Sequence, residues 1–204
     1  MLAALVERAR SGRGRRVDVA MLDCQVATLE NAIARYQATG EVPGPLGTRH
    51  PSIAPFQAFA TRDGHVVVAA GNDGLFAKLA RAVERPELAR DPRFASNAAR
   101  TRNVDALEAL LEAAFAERSS AEWLARLEAA GIPCGPLNDV AAVLADPQVR
   151  ARNMVVTSED PKAGSLSLAG NPVKLSGCDD PPTRPPAPRL DEHRAAILAE
   201  LGLG

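Results

Sequence analysis

The sequence is poor in aromatic residues, which make up 3% of its 204 positions. A core must therefore be built mainly from Ala, Leu and Val. The sequence also lacks a long uninterrupted apolar run and a leader with a charged start and a small-residue cleavage site. These absences predict a soluble, cytoplasmic protein that has no membrane partner.

Cysteine and histidine are scarce and scattered, with three of each in the chain. They are Cys24, Cys134, Cys178, His50, His65 and His193. No Cys-x-x-Cys or His-x-x-x-His pair occurs, so the sequence predicts no metal site. Three distant cysteines argue against a disulfide framework and for a reducing compartment. Cys134 could serve as a nucleophile, but without a nearby histidine a buried structural cysteine is favoured.

Neither sign of charge dominates, because the formal net charge is −1. This balance predicts no nucleic acid partner and no attraction to an anionic surface. The basic run Arg13–Arg16 could bind phosphates, but it lacks interleaved aromatic residues for base stacking. It is better interpreted as a solvated turn.

What the sequence does contain is a β-hairpin signal that leads into a helix. Two short apolar runs, Phe56–Ala60 and His65–Ala70, are separated by a turn with Asp63-Gly64. Asn72 or Asp73 can then cap a helix. The surrounding glycines resemble half of a phosphate-binding loop, but no complete phosphate motif is present, and a helix cap is favoured.

The N-terminal 47 residues predict helices and one short strand. A helix over Met1–Arg10 ends at Gly12, and Val17–Ala20 is typical of a strand. One further helix is predicted to end at Gly40, because its apolar residues recur at intervals of four and three. Those residues are Leu22, Val26, Leu29, Ile33 and Tyr36.

Beyond the hairpin, capping residues predict two helices. Asn103 can cap one of them, and Ser119 with Glu122 fits a capping box that opens a helix carrying Trp123.

The C-terminal part predicts strands, a linker and a last helix. The predicted strands are Met154–Thr157, Ser165–Leu168 and Val173–Leu175, and the last helix is Asp191–Leu201. Residues 179–189 contain five prolines. They are interpreted as an extended linker, with docking to an SH3-like groove as the alternative.

Taken together and in order, several motifs resemble the family III coenzyme A transferases, a family that includes formyl-CoA and carnitine-CoA transferases and methylacyl-CoA racemases. The resemblance covers almost the whole chain. Its motifs are Ser11–Val19, His50–Gln57, Asp63-Gly64, Gly71–Asp73, Asp91–Phe94, Arg100 with Asn103, Glu122-Trp123, Gly131–Pro136, Asp146–Gln148 and Glu192-His193.

The resemblance implies an α/β fold: a remnant of a Rossmann-like large domain plus a smaller α+β domain rich in helices. Residues 1–47 would be the C-terminal remnant of the large domain, and residues 48–160 the small domain. Residues 161–204 would return through the Pro-rich linker to a helix on the large domain. Family members are dimers of linked rings, so a homodimer is expected.

The resemblance also implies CoA transfer between an acyl-CoA and a small carboxylic acid through an aspartyl intermediate. The nucleophilic aspartate and most of the CoA site are expected upstream of Met1, so no catalytic residue is assigned here. Asp18 and Asp23 match a later strand and helix of the family. The chain alone is expected to be inactive, with no permanently bound cofactor and a CoA thioester as substrate.

Two further assignments that the resemblance implies concern substrate binding. His50, Pro51 and Ser52 occupy the place where formyl-CoA transferase has a glycine-rich loop over the acyl group, and Met21 falls near the substrate side of the large domain. No cofactor-binding residue is assigned. The alternatives are an acyl-CoA racemase of the same family, and a non-catalytic fragment or subunit that needs a separate N-terminal part.

Overall fold

The computed structural model describes residues 1–203 as a mixed α/β chain. It divides into two compact units, Met1–Ile53 and a second that begins at Ala54. The assignment of residues 1–47, 48–160 and 161–204 to parts of a larger enzyme stays a prediction. No helix in the described part of the chain is long and apolar enough to cross a membrane.

The first unit contains three helices, α1 (Leu2–Ser11), α2 (Met21–Thr28) and α3 (Glu30–Thr39). The predicted helix ends are confirmed, because Gly12 and Gly40 adopt φ of 68° and 74° and donate their N–H groups to the preceding turns.

Two predictions for this unit are wrong. Val17–Ala20 is not a strand, since residues 1–53 contain no strand with which it could pair. The predicted single helix is broken at Leu29, where α2 ends and α3 begins.

The second unit opens with a three-stranded antiparallel sheet in the order β1-β2-β3. Its strands are β1 (Phe56–Ala60), β2 (His65–Ala69) and β3 (Cys134–Pro136). The hairpin is therefore confirmed, with Ala58 opposite Val67. The third strand was not predicted: it contains Gly and Pro, and only its pairing with Val66–Val68 defines it.

Two helices, α6 (Val104–Phe115) and α7 (Ser120–Ala129), pack against this sheet. Helix α4 (Asp73–Ala82) packs on α7 and contributes to the same core, and α5 (Asn97–Arg102) packs on α6. At the centre, the Phe115 ring lies 4.8 Å from the rings of both Phe59 and Trp123. Trp123 Nε1 donates to the Phe115 carbonyl at 2.7 Å, so the buried indole N–H is satisfied.

Two of the predicted helix caps are confirmed and one is wrong. Asn72 accepts from the N–H of Leu75, and Ser119 forms a complete capping box with Glu122. Asn103 is the N-cap residue of α6, but its side chain makes no capping hydrogen bond. Its amide instead donates back to the carbonyls of Ala99 and Arg93, which tie it to the preceding turns.

The hairpin turn is bound to the start of α7. Asp63 Oδ1 accepts the N–H of Ser120 at 2.7 Å, and the hydroxyls of Thr61 and Ser120 lie 2.7 Å apart. The hydrogen bond to the Ser120 backbone is the largest cause that lowers the pKa of Asp63. The turn and the helix thus hold each other in place.

The rest of the second unit carries a second sheet in the order β5-β4-β6. Its strands are β4 (Val155–Asp160), β5 (Gly164–Ala169) and β6 (Thr183–Arg184), and its helices are α8 (Val140–Ala145), α9 (Pro147–Ala151) and α10 (Arg194–Glu200). The strand pair β4–β5 is confirmed. Val173–Leu175 is not a strand; the third position belongs to β6, from within the predicted linker, where Thr183 pairs with Thr157.

Candidate functional site

Three of the four predicted substrate-binding residues form one turn. The backbone N–H of Ser52 donates to Nδ1 of His50 at 3.2 Å. With Nδ1 as the acceptor, the neutral imidazole carries its proton on Nε2. His50 is half-buried, whereas Pro51 and Ser52 are exposed. Pro51 and Ser52 are therefore more accessible to solvent than His50.

The fourth residue, Met21, lies at the first position of α2 and is 87% exposed. Its thioether is a soft, flexible apolar group that adapts to irregular ligands. The assignment of these four residues to substrate binding stays a prediction.

Immediately after the His50–Ser52 turn, the chain is held firmly. The Ala54 N–H donates to Asn97 Oδ1 at 3.0 Å, and the Ala54 carbonyl accepts from Arg100 Nε at 2.6 Å. Both side chains come from α5, which Ser96 caps by accepting from the Ala99 N–H. One short helix therefore binds both backbone polar groups of a single residue, Ala54.

The Arg100 side chain is fully buried, and it binds several groups besides Ala54. Besides Ala54, its guanidinium donates to the carbonyls of Phe94 at 3.0 Å and Gly71 at 2.8 Å. Its Nη1 also lies 2.9 Å from Asp73 Oδ1. The guanidinium holds its N–H donors in one rigid plane, so each carbonyl can bind a donor that points in a different direction. Arg100 therefore joins segments that are distant in sequence.

Sequence reasoning assigned no role to Arg100 or Asn97. Arginine is almost never fully buried unless its charge and donors are satisfied. The spacing of apolar residues therefore gave no reason to place Arg100 in the interior. The available signal was the resemblance to the family, whose motifs include Arg100 with Asn103.

The glycine-bearing segment after β2 is a helix cap, as predicted. Asn72 Oδ1 accepts the Leu75 N–H at 2.8 Å, and the Gly71 carbonyl and the Asp73 carboxylate both face Arg100. These polar groups of Gly71, Asn72 and Asp73 are thus bonded within the protein.

Cys134 lies on β3 and is half-buried against the core. Burial raises the pKa of its thiol, and Glu128 contributes to the same direction. A raised pKa leaves less thiolate at neutral pH, which agrees with a structural cysteine.

A polar cluster lies beside the second sheet. Asp180 pairs with Lys174 and, at 2.6 Å, with Arg184, while Asn153 donates to the Asp180 carbonyl at 2.7 Å. The hydrogen bond from Lys174 and then the one from Arg184 lower the pKa of Asp180 to about 2. This cluster ties residues 174–184 to the end of α9.

Among residues 1–203, no group of three or more His, Cys, Asp or Glu side chains is arranged to hold a metal ion.

In the basic run Arg13–Arg16, Arg15 pairs with Glu7 at 3.2 Å and Arg16 with Asp18 at 3.4 Å. Both pairs are exposed, as in a solvated turn.

The architecture of the chain matches that of a protein whose structure has been solved. A crystal structure of a CAIB/BAIF family protein from Brucella suis matches it with 42% sequence identity and a TM-score of 0.80, over 98% of this chain and 51% of that one. The sequence profile described as CoA-transferase family III matches residues 1–194. The chain therefore belongs to CoA-transferase family III.

Curated relatives agree with this family. An acetyl-CoA:oxalate CoA-transferase of Acetobacter aceti is 46% identical over 97% of this chain and 50% of its own length. A human succinyl-CoA:glutarate CoA-transferase is 35% identical over 98% of this chain and 46% of its own. The chain spans about half the length of the curated relatives it matches.

Proposed function

We propose that the chain is part of an enzyme that moves coenzyme A between an acyl-CoA and a small carboxylic acid. The observation that carries this proposal is the family match over residues 1–194, together with 46% identity to an acetyl-CoA:oxalate CoA-transferase. The relatives named above pair one acyl-CoA with one carboxylic acid, which supports the same substrate classes here.

The proposed chemistry is covalent catalysis by an aspartate. The carboxylate attacks the acyl-CoA carbonyl and expels CoA thiolate, leaving a mixed anhydride. The thiolate then attacks the aspartyl carbonyl and releases the donor acid. The acceptor carboxylate displaces CoA from the resulting thioester, and the thiolate attacks the new anhydride to release product and regenerate the aspartate.

Within this chain we assign substrate contacts to His50, Pro51 and Ser52, with Met21 as an apolar contact. The Ser52 hydroxyl and the His50 Nε2–H are donors of the kind that a carboxylate accepts. Pro51 restricts the backbone of the turn between them. No cofactor is proposed to stay bound, since the CoA thioester is itself a substrate.

The reactive aspartate is proposed to lie outside these 204 residues, so that the chain alone transfers no CoA. The resemblance to the family supports this, because Asp18 and Asp23 match positions after its nucleophile. The enzyme is proposed to be a cytoplasmic homodimer. An acyl-CoA racemase of the same family is the alternative enzyme, and a non-catalytic subunit is the alternative outside enzymes.

A transfer assay tests the proposal. Acetyl-CoA or succinyl-CoA is incubated with oxalate or glutarate, and new CoA esters are separated by chromatography. We expect transfer by the product of the longest reading frame that contains these residues, and none by residues 1–204 alone.

Three other results would change the assignment. Turnover by residues 1–204 that an Asp18→Ala or Asp23→Ala change abolishes would place the nucleophile inside the chain. Inversion of a chiral 2-methylacyl-CoA without transfer would favour the racemase. Inactivity of the longer product in both assays would favour the non-catalytic subunit.

A further inference from the structure

Strand β5 is an edge of the second sheet, because within the described part of the chain it pairs only with β4. All of its residues are exposed. Just beyond the strand, Gly170 donates its N–H to the Met154 carbonyl, so these two residues form a hydrogen-bonded pair. Such pairs alternate with non-hydrogen-bonded pairs along an antiparallel ladder. Leu166 and Leu168 therefore bond to β4 through their backbone groups.

The backbone groups of the residues between them point away from β4. Ser165, Ser167 and Ala169 occupy the alternate positions, so their N–H and C=O groups face the open edge. The other side of β4 agrees with this alternation: Thr157, which lies opposite Ser167, donates its N–H to Pro182, away from β5. The edge of β5 thus offers a row of alternating donors and acceptors.

This edge lacks the features that keep sheet edges from pairing, which include proline, charge and short length. Strand β6 has two residues, one of them Arg184, and Pro185 follows it, whereas β3 ends in Pro136. Strand β5 contains neither proline nor a charged residue, and its Leu166 and Leu168 are 39% and 42% exposed. These properties favour the addition of another strand.

The edge of β5 is complementary to itself. In an antiparallel pair of two copies about a two-fold axis at Ser167, Ser167 lies opposite Ser167, and Ser165 lies opposite Ala169 of the second copy. Every outward N–H then meets an outward C=O, because these three residues are the ones that point outward. Leu166 and Leu168 of both copies share one face of the joined sheet.

Charge also permits this arrangement. Residues next to a two-fold axis face the same residues of the second copy, so a charged side chain there would lie opposite a like charge. Strand β5 has no such side chain, since its sequence consists of Gly, Ser, Leu and Ala.

We propose that the outer edge of β5 pairs with β5 of a second copy of the chain, so that the two β5-β4-β6 sheets become one continuous sheet. The inference rests on the homodimer proposed with the function above and gives it a contact surface. It does not depend on CoA transfer, so the transfer assay and the tests below can fail independently.

Disulfide cross-linking of residues 1–204 tests both the pairing and its register. Opposite residues of a hydrogen-bonded pair have Cα atoms about 5.5 Å apart, which a disulfide can span. Ser167→Cys, with the exposed Cys24 and Cys178 changed to Ser, should therefore form a dimer on mild oxidation that a reductant separates.

The matched control is Ser165→Cys, which places an equally outward residue four positions from its counterpart along the strand, about 13 Å away. We expect about tenfold more cross-linked dimer from Ser167→Cys than from Ser165→Cys. Equal cross-linking of the two variants, or none in either, would overturn the proposal.

Backbone N–H exchange gives a readout that needs no cysteine. As the concentration of residues 1–204 rises, exchange at Ser165, Ser167 and Ala169 should slow about tenfold, while Leu166 and Leu168 stay protected at every concentration. Ser167→Lys should abolish this concentration dependence, because it places like charges at the axis, and Ser167→Thr should retain it. Fast exchange at Ser167 at every concentration would overturn the proposal.

The same cross-link is then sought in the longer enzyme that contains this chain. Its formation from Ser167→Cys and not from Ser165→Cys would support the shared sheet in the complete protein. Protection of the Ser167 N–H without the cross-link would mean that another segment of the same polypeptide covers β5, and would overturn the pairing between copies.

Discussion

Residues 1–53 and the hairpin–helix region from Phe56 to Ile132 use apolar side chains in opposite ways. In residues 1–53 no residue is buried, and Leu22 is 73% exposed. In the second region Trp123 is 2% and Phe115 0% exposed. Both regions contain amphipathic helices with well-formed ends, so helix pattern alone does not decide burial.

The difference lies in what the helices pack against. In the second region, α6 and α7 pack against a sheet whose residues Val66 and Val68 are fully buried, and α4 belongs to the same core. In the first unit the three helices have eight to ten residues each and no strand beside them. Helices of that length are marginal on their own in water, because most helical stability comes from tertiary packing.

The largest effect is expected from Trp123→Ala. Removing a buried indole should lower the free energy of unfolding by about 3–5 kcal/mol, since it leaves a cavity beside Phe115 and an unpaired carbonyl. Denaturant unfolding monitored by circular dichroism measures this value.

The matched control is Tyr36→Ala on α3, where the side chain is half-exposed. It should change the same free energy by less than about 1 kcal/mol. Equal effects of the two substitutions would show that the contrast between the regions is wrong.

Arg100→Met is expected to have the second largest effect. The methionine fills part of the space, but the carbonyls of Ala54, Gly71 and Phe94 lose a charged donor. The free energy of unfolding should fall by on the order of 3 kcal/mol, the scale for buried acceptors left unpaired. Thermal and denaturant unfolding measure the change.

Arg118→Met is the control, because Arg118 also lies over an aromatic ring but is partly exposed, with its ion pair to Glu84 at the surface. A loss of stability as large as that of Arg100→Met would show that burial of the arginine is not what matters.

A third, smaller effect concerns association. The exposed apolar side chains of α2 and α3 should promote self-association, since contiguous apolar surface is rarely left open to water. Light scattering of residues 1–204 should report a species heavier than the monomer. Leu29→Asp combined with Ile33→Asp should shift it toward the monomer.

Gln37→Asp, which adds a charge to an exposed polar position of α3, should leave the mass unchanged. A monomeric parent chain, insensitive to the two aspartates, would mean that this apolar surface needs no partner.

The smallest effect is expected at the polar cluster of the second sheet, and only in acid. The pKa of Asp180 is lowered from 3.8 to about 2, chiefly by Lys174 and Arg184. Its carboxylate therefore stabilises the folded segment fully above pH 3.8, and this contribution is lost as the pH falls toward 2. Asp180→Asn should remove that pH dependence.

N–H exchange of residues 171–184, measured between pH 5 and 2 and corrected for intrinsic rates, tests this prediction. Asp179→Asn, at the neighbouring exposed carboxylate, serves as the control. If it altered the pH dependence as much as Asp180→Asn, the Lys174 and Arg184 contacts would not be its cause.

Local signals predicted well those elements whose determinants lie close together in sequence. The Asp63-Gly64 hairpin and the Ser119–Glu122 capping box are present as predicted. Both rest on contacts between residues at most 13 positions apart, which pattern reasoning can read directly.

Predictions failed where the composition of a segment did not determine its partners, whether those partners lie near in sequence or far away. Asn103 could have capped α6, but the carbonyls of Ala99 and Arg93 bind its amide instead. Val173–Leu175 has a strand-like composition, yet Thr183–Arg184 occupies the edge of β4. A strand-like composition shows that a segment suits a sheet, but it does not determine which strand that segment pairs with.

The candidate site divides in the same way. The His50–Ser52 turn and Met21 were assigned from resemblance to the family, and their role in substrate binding stays a prediction. The bonds of Asn97 and Arg100 to Ala54 could not be predicted, because they join residues more than forty positions apart.

The amino-acid sequence by itself determined the family, the mixed α/β class, the ends of α1 and α3 and the starts of α4 and α7, since these depend on ordered motifs and local capping chemistry. Only the tertiary structure decided which amphipathic helices are buried, which strand completes each sheet, and that a single arginine joins the hairpin, α4 and α5. The physical reason is that burial and hydrogen-bond satisfaction are properties of neighbours in space, and those neighbours are distant in the chain.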